Sequence, residues 1–198
     1  MTRLHPQELH RILSANLSNG QRRELRIDGF QKAAVLVPLI AMGEECTLLF
    51  TKRTETVETH KGQVSFPGGV VDGTDLDPIH TALRETHEEI GIAPGSVETL
   101  GLLDDLMTPA GFVITPVVGF LKVPPHVSPS EIEVAEVFEI PLSFFANPAR
   151  GRMEYREFRG QRHEVWFYDT GRHIIWGATA NIVRMVLRKT GMIPSDRE

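Results

Sequence analysis

The sequence predicts an α/β fold in which a mixed β-sheet is flanked by helices. Three observations lead there. Strand-like apolar runs recur along the chain, at Lys32 to Leu39, Thr47 to Thr51, Val97 to Leu106, Phe112 to Lys122, Val134 to Ile140 and His163 to Tyr168. Helical spacing of apolar residues recurs at Pro6 to Leu17, Pro78 to Ile90 and Ala178 to Leu187. The two kinds of segment are interspersed, which places helices on the faces of a sheet. At 198 residues and 41% hydrophobic, the chain can fill one core, so a single domain over 1–198 suffices.

The elements follow in order. Leu9, Ile12, Leu13 and Leu17 share one face of the first helix. The run Ala33 to Met42 is the most apolar, but it is short and interrupted by Pro38, and so reads as a buried strand with its flanks. Lys52 to Gly73 reads as a loop ending in Phe66-Pro67-Gly68-Gly69. In the helix after it, Asp77 suits the N-cap, Pro78 the first turn and Gly91 the C-terminal cap. Thr108-Pro109-Ala110-Gly111 suits a hairpin connection. Trp176 is expected to anchor the last helix in the core, and Pro194 to Glu198 to be disordered.

Charge and composition exclude several classes. With 21 basic and 26 acidic residues the net charge is −5, which offers no general attraction for nucleic acid or for a polyphosphate. A phosphorylated ligand would need local Arg and Lys groups or a cation. No segment reaches membrane-helix length, and the N-terminus lacks an apolar signal core, so the expectation is a cytoplasmic protein. The single cysteine, Cys46, excludes a disulfide framework and a cysteine metal site.

The informative segment is Ala82-Leu83-Arg84-Glu85-Thr86-His87-Glu88-Glu89-Ile90-Gly91-Ile92. Ile79, Ala82, Leu83, Thr86 and Ile90 form a face that packs on a sheet. Glu85 and Glu89 are four residues apart on one side, with Glu88 on the same flank. A charged run is ordinarily a solvated face, but here that reading fits poorly. Like charges four apart destabilise a helix by roughly 0.2–0.5 kcal/mol, and carboxylates near a helix C-terminus oppose its dipole. A hard divalent cation removes the conflict, because it requires converging oxygen ligands. Arg84, beside three carboxylates, is suited to orienting them through its planar guanidinium.

These residues resemble the Nudix hydrolase family. Its box runs Gly, five residues, Glu, seven residues, Arg-Glu, an apolar residue, any residue, Glu-Glu, any residue, Gly and an apolar residue. Arg84 to Ile92 matches the second half, with Thr86 in place of the aliphatic residue. In the first half, five residues after Gly69 lead to Asp75 rather than Glu, and eight residues rather than seven then precede Arg84. That insertion is similar to the coenzyme A pyrophosphatase branch. So is the upstream Leu49-Phe50-Thr51-Lys52-Arg53-Thr54, with the spacing to Gly62 and Phe66-Pro67-Gly68-Gly69 intact and Glu58 where the branch has Arg. Further similar pieces are Ile114 to Gly119, Glu133-Val134 before Val137 to Leu142, and Trp176 to Ala180, so the resemblance runs from about Lys32 to Leu187.

The resemblance implies a Nudix-type α/β/α sandwich and attack of water on phosphorus in a diphosphate bridge. It implies Mg²⁺ or Mn²⁺ held by Glu85, Glu89 and Glu88, with a backbone carbonyl from the glycine loop, at Gly69. Glu133 is the candidate general base, with Glu131 and Glu136 as neighbours that could serve instead. Arg53 and Lys61 are candidates for phosphate contact, and Gly62, Phe66 and Gly68 complete the candidate substrate-binding set. Phe66 also suits the core, and His60 suits a loop. The implied substrate is a small nucleotide-containing molecule, coenzyme A or a derivative, with 3′,5′-ADP and 4′-phosphopantetheine as products; a homodimer is a family expectation. ADP-ribose or another dinucleotide is the alternative substrate, and a non-catalytic nucleotide-sensing domain is a second alternative that the retained acidic cluster opposes. A carboxylate about 4 Å from a phosphate costs roughly 1–4 kcal/mol. With Arg53 and Lys61 in the same signature, Glu58 is expected to face solvent. Accordingly Glu58→Arg leaves the KM for coenzyme A unchanged; a several-fold fall in KM would place Glu58 against the ligand.

Overall fold

The computed structural model describes residues 3–18, 22–55, 62–158 and 160–195. In chain order the elements are α1 (Pro6–Ser18), β1 (Gln31–Met42), β2 (Glu45–Arg53), β3 (Val64–Ser65), β4 (Gly68–Val70) and α2 (Pro78–Ile90). A 3₁₀ turn at Pro94–Ser96 leads to β5 (Glu98–Leu102), β6 (Leu106–Met107) and β7 (Phe112–Leu121). Then follow β8 (Val134–Pro141), α3 (Leu142–Ala146), β9 (Gly151–Phe158), β10 (Gln161–Asp169), β11 (Ile174–Trp176) and α4 (Gly177–Lys189).

The main sheet is mixed, as the sequence predicts. Its order is β3-β2-β1-β7-β5, with β4 also on β1, β6 on β7 and β8 on β2. β1 lies parallel to β7 and antiparallel to β2 and β4. Both faces of β1 are covered, which explains its unbroken apolar run. Ala34 and Leu36 pack with Ala82 of α2, while Val37 and Leu39 join Leu9 and Leu13 of α1 and Val183 and Val186 of α4. Pro38 falls where β1 passes from β4, paired at Ala33 to Val35, to β2, paired from Leu39. On that side β1 has no ladder partner to lose, so a residue without an N–H is tolerated.

Several elements differ from the sequence reading. The expected loop from Lys52 to Gly73 contains β3 and β4, too short and too glycine-rich to register as strands. The expected strand from Val97 to Leu106 is interrupted before β6. There the buried Asp105 turns inward to accept from Arg22, the Leu25 N–H and Thr115. β9, with Arg152, Glu154, Arg156 and Glu157, was not legible as a strand. It forms a second, three-stranded sheet in the order β11-β10-β9. Trp176 does not enter the core: it precedes α4, remains 37% exposed and stacks on Phe167. The expected disorder at Pro194 to Glu198 lies largely outside the described residues, and Pro194 and Ser195 have no regular structure.

α2 is built as its caps require. Asp77 accepts from the His80 N–H at 2.8 Å, and Gly91, at φ 75°, donates to the His87 carbonyl at 2.9 Å. Asp77→Ala is expected to cost about 0.5–2 kcal/mol, with Asp77→Asn near the parent value. Urea denaturation of both variants checks this; an unchanged midpoint for the alanine variant contradicts the capping role.

Candidate functional site

The glycine loop and α2 meet because β4 adds to β1. Val35 and Ala34 pair with Gly68 and Gly69, and the Leu36 N–H donates to the Pro67 carbonyl at 2.8 Å. Gly68 has φ 150°, and a Cβ there would lie 2.3 Å from the Ala34 carbonyl oxygen. A Cβ on Gly69 would lie 2.4 Å from the Glu85 carboxyl carbon. Only glycine lets this backbone approach both β1 and the acidic helix.

Three carboxylates project from the last two turns of α2. Glu89 is almost fully buried, accepting from the Gly68 N–H at 3.1 Å and facing the Arg53 guanidinium at 3.4 Å. Burial is the main cause of its pKa rising to about 7, opposed by Gly68 and Arg53 and reinforced by the charges of Glu133 and Glu85. Glu85 is half-buried and also raised, again first by burial, with Arg84 opposing and Glu88 and Glu133 adding. Glu88 is exposed and accepts from Arg84 at 3.0 Å.

Arg84 organises this face. Its guanidinium is bidentate on Asp75, with both contacts at 2.9 Å, and donates to Glu85 at 2.8 Å. The Asp75 side chain is covered and also accepts from Thr81, His80 and the Asp72 N–H, each at 2.9 Å. The Arg84 hydrogen bonds hold its carboxyl well below the usual carboxylate range. Asp75 is a residue the sequence reading passed over as a departure from the box. Its position in the box was the available signal; the convergence of Thr81 and His80 on it was not.

Glu133 reaches the cluster through backbone contacts that no local pattern encodes. The Ser128 and Ser130 N–H groups donate to the Ile90 and Glu89 carbonyls, each at 2.8 Å, at the C-terminal end of α2. The Thr54 N–H donates to the Glu133 carbonyl at 3.0 Å. Glu133 is exposed, and its charge acts on both Glu85 and Glu89. Glu136 instead faces Arg172 at 2.9 Å and His173 at 3.4 Å.

The remaining candidates are dispersed. Arg53 lies beside Glu89, and its Nε–H is buried with no partner among the described residues. Phe66 is a correction: at 2% exposure and stacked on Phe50 at 4.8 Å, it belongs to the core beneath the loop and offers no face to a ligand. Gly62, at φ 64°, closes the loop from Thr54 rather than touching the cluster. Glu58, His60 and Lys61 lie outside the described residues.

The donor set suits a hard divalent cation, since it offers only carboxylate and carbonyl oxygens. Two of those carboxyls are pushed toward the neutral form by burial and mutual repulsion, which a cation would reverse. Among the described residues, no three such side chains already converge as a group able to hold a metal ion. Arg84, Arg53 and the Gly68 N–H hold the carboxylates instead.

The comparisons with known proteins agree with this geometry. The chain matches the NUDIX domain family over residues 30–158. It is 44% identical to "Uncharacterized Nudix hydrolase NudL" of Enterobacter sp. (strain 638), over 83% of this chain and 85% of that one. The protein of the same name from Photorhabdus laumondii subsp. laumondii is 42% identical, covering 82% and 86%. Among solved structures, the Nudix hydrolase RenU of M. smegmatis superposes with a TM-score of 0.59 at 18% identity, covering 91% of this chain and 99% of that one. A MutT/nudix family protein from Enterococcus faecalis gives 0.57 at 16% identity, covering 84% and 64%. These two support the fold. The chain therefore belongs to the Nudix hydrolase family, whose members act on small nucleotide substrates and generally use divalent metal ions. No described helix is long and apolar enough to cross a membrane.

The lowered pKa of Asp75 sets a pH dependence. A depressed carboxylate contributes stability that is present above its unfolded value, near 3.9, and is lost as pH falls toward the folded value. The melting-temperature gap between parent and Asp75→Asn is thus widest at neutral pH and narrows below about pH 4. A gap that widens on acidification would contradict the Asp75–Arg84 assignment.

Proposed function

We propose that this chain hydrolyses a nucleotide diphosphate linkage with Mg²⁺ or Mn²⁺, and that its substrate is coenzyme A or a derivative. The observation that carries the reading is the placement of Glu85 and Glu89 against the Gly68-Gly69 backbone with Glu133 beside them. Glu85, Glu88, Glu89 and the Gly69 carbonyl would hold the cation. When bound, it would offset the phosphate charge and polarise the phosphoryl oxygens. Arg84, itself fixed by Asp75, orients Glu85 and Glu88. Arg53 and the Gly68 loop bind the diphosphate; the Arg53 Nε–H, without a partner among the described residues, gains an acceptor when a phosphate oxygen arrives. Lys61 and Gly62 belong to the proposed substrate-binding set on the strength of the signature alone.

Glu133 takes the proton from the attacking water as its oxygen bonds to phosphorus. The bridging P–O bond breaks, and the bridging oxygen leaves with the other phosphate. With coenzyme A the products are 3′,5′-ADP and 4′-phosphopantetheine. The coenzyme A reading is supported by the Leu49 to Gly69 signature rather than by pocket geometry. In this reading the chain is a single domain over 1–198, cytoplasmic, without nucleic-acid partners, and a homodimer.

Chromatography of reactions containing coenzyme A, ADP-ribose or a dinucleotide tests the reading. Coenzyme A is cleaved in Mg²⁺ or Mn²⁺ and not in excess EDTA. Glu133→Gln lowers kcat by roughly 10²–10⁴-fold, whereas Glu136→Gln stays near the parent. Cleavage of ADP-ribose alone would move the substrate to the alternative, and no cleavage of any would favour a sensor.

A further inference from the structure

The second sheet has an unused edge. β9 pairs with β10 through eight consecutive residue pairs, from Gly151↔Tyr168 to Phe158↔Gln161. No described strand pairs with its other side. Phe158 and Gln161, with two residues between them in sequence, are the closing pair of the ladder, and such a pair exchanges both backbone hydrogen bonds. The alternation then aims the backbone groups of Arg152, Glu154 and Arg156 at β10. Those of Met153, Tyr155 and Glu157 point outward at the free edge.

We infer that β9 is the self-pairing edge of a homodimer, antiparallel to β9 of a second copy, with Tyr155 opposite its own counterpart. Charge pattern and length of overlap together select that register: centring on Met153 also sets Arg152 against Glu154, but it pairs only residues 151–155, whereas centring on Tyr155 pairs 152–158. Centring on Tyr155 makes Tyr155 and its copy a hydrogen-bonded pair, flanked by Met153 opposite Glu157 on each side. Glu154 then stands opposite Arg156 of the other copy in the close, non-hydrogen-bonded positions, and this occurs twice by symmetry. Centring on Glu154 sets Glu154 against itself and Arg152 against Arg156. Centring on Arg156 sets two arginines together. Like charges directly opposite destabilise a ladder.

The exposed side chains fit the same occupant. Tyr155 is 53% exposed at the middle of β9, with the Arg162 guanidinium 4.3 Å from its ring centre. On the opposite face Arg152 and Arg156 both pair with Glu154, so a second Glu154 meets an excess of arginine. Like charges, proline or a bulge commonly protect an exposed edge; Met153 to Glu157 has no proline, its pairing with β10 is unbroken, and its charges are of both signs, so a second copy in the right register matches them rather than being repelled. A contact of one strand and its flanking side chains is small, so the dimer is concentration-dependent.

This inference specifies the surface behind the homodimer named above, and its test reads assembly rather than hydrolysis, so the two can fail separately. In sedimentation velocity over roughly a hundredfold range of concentration, the parent moves from monomer toward dimer. Tyr155→Pro removes an outward N–H and an exposed ring with its Arg162 contact but no hydrogen bond to β10, so it stays monomeric with a melting temperature near the parent's. A parent that is monomeric throughout, or a Tyr155→Pro variant that still dimerises, overturns the inference. The double variant Glu154→Cys/Arg156→Cys reads the register without relying on proline. Facing non-hydrogen-bonded positions lie about 4.5 Å apart between Cα atoms, within disulfide range. Mild oxidation therefore links the dimer, joining the thiol introduced in place of Glu154 on one copy to that introduced in place of Arg156 on the other, while buried Cys46 takes no part. Absence of that cross-link overturns the register.

Discussion

A carboxylate buried at the wrong end of a helix organises this molecule. Glu89 is in the last turn of α2, where the dipole is unfavourable and water is excluded. The Gly68 N–H and Arg53 offset part of that cost. Without metal the conflict persists: a raised carboxylate favours folding below its unfolded pKa, and that contribution is lost as pH rises through about 7. The fold accepts this because β4 must lie on β1 to bring Gly68 to Glu89. The same register brings the Gly69 backbone against Glu85.

Around this point the Arg84 network is tied at several points, and Glu133 stands exposed beside it. Asp75 fixes Arg84 by a two-point contact, and Arg84 spans Glu85 and Glu88. Asp in place of the box Glu is accommodated by the shift of one residue and by Thr81 and His80 closing on the shorter side chain. Glu133, by contrast, is exposed on a turn whose backbone is tied to Thr54 and to the end of α2. Glu89, shut away from water, has its carboxyl pushed up to about 7.

How much of this was legible follows from the range of the interactions. α2 was readable from end to end because Asp77, Pro78 and Gly91 are local signals. The acidic cluster was readable because three carboxylates there defy helix electrostatics. β1 was legible because both its faces are buried. β4 was not, since two of its three residues are glycine. β9 was not, since both its faces carry charge and its pairing partner, not its composition, makes it a strand. The link between Glu133 and α2 runs through Ser128 and Ser130 backbone groups, which carry no residue-specific mark. Trp176 was misplaced because aromatic size suggests burial, whereas a stack on Phe167 leaves one side in water.

The central claim is that Glu85 and Glu89 form a cation site. Thermal melts of chelator-treated protein, with Mg²⁺ or Mn²⁺ added back, test it most directly. A ligand that binds only the folded state raises stability by RT ln(1 + [L]/Kd). The account predicts a melting temperature that climbs with metal concentration in the parent and stays flat in Glu85→Gln/Glu89→Gln. An equal climb in the double variant, or none in the parent, would contradict it.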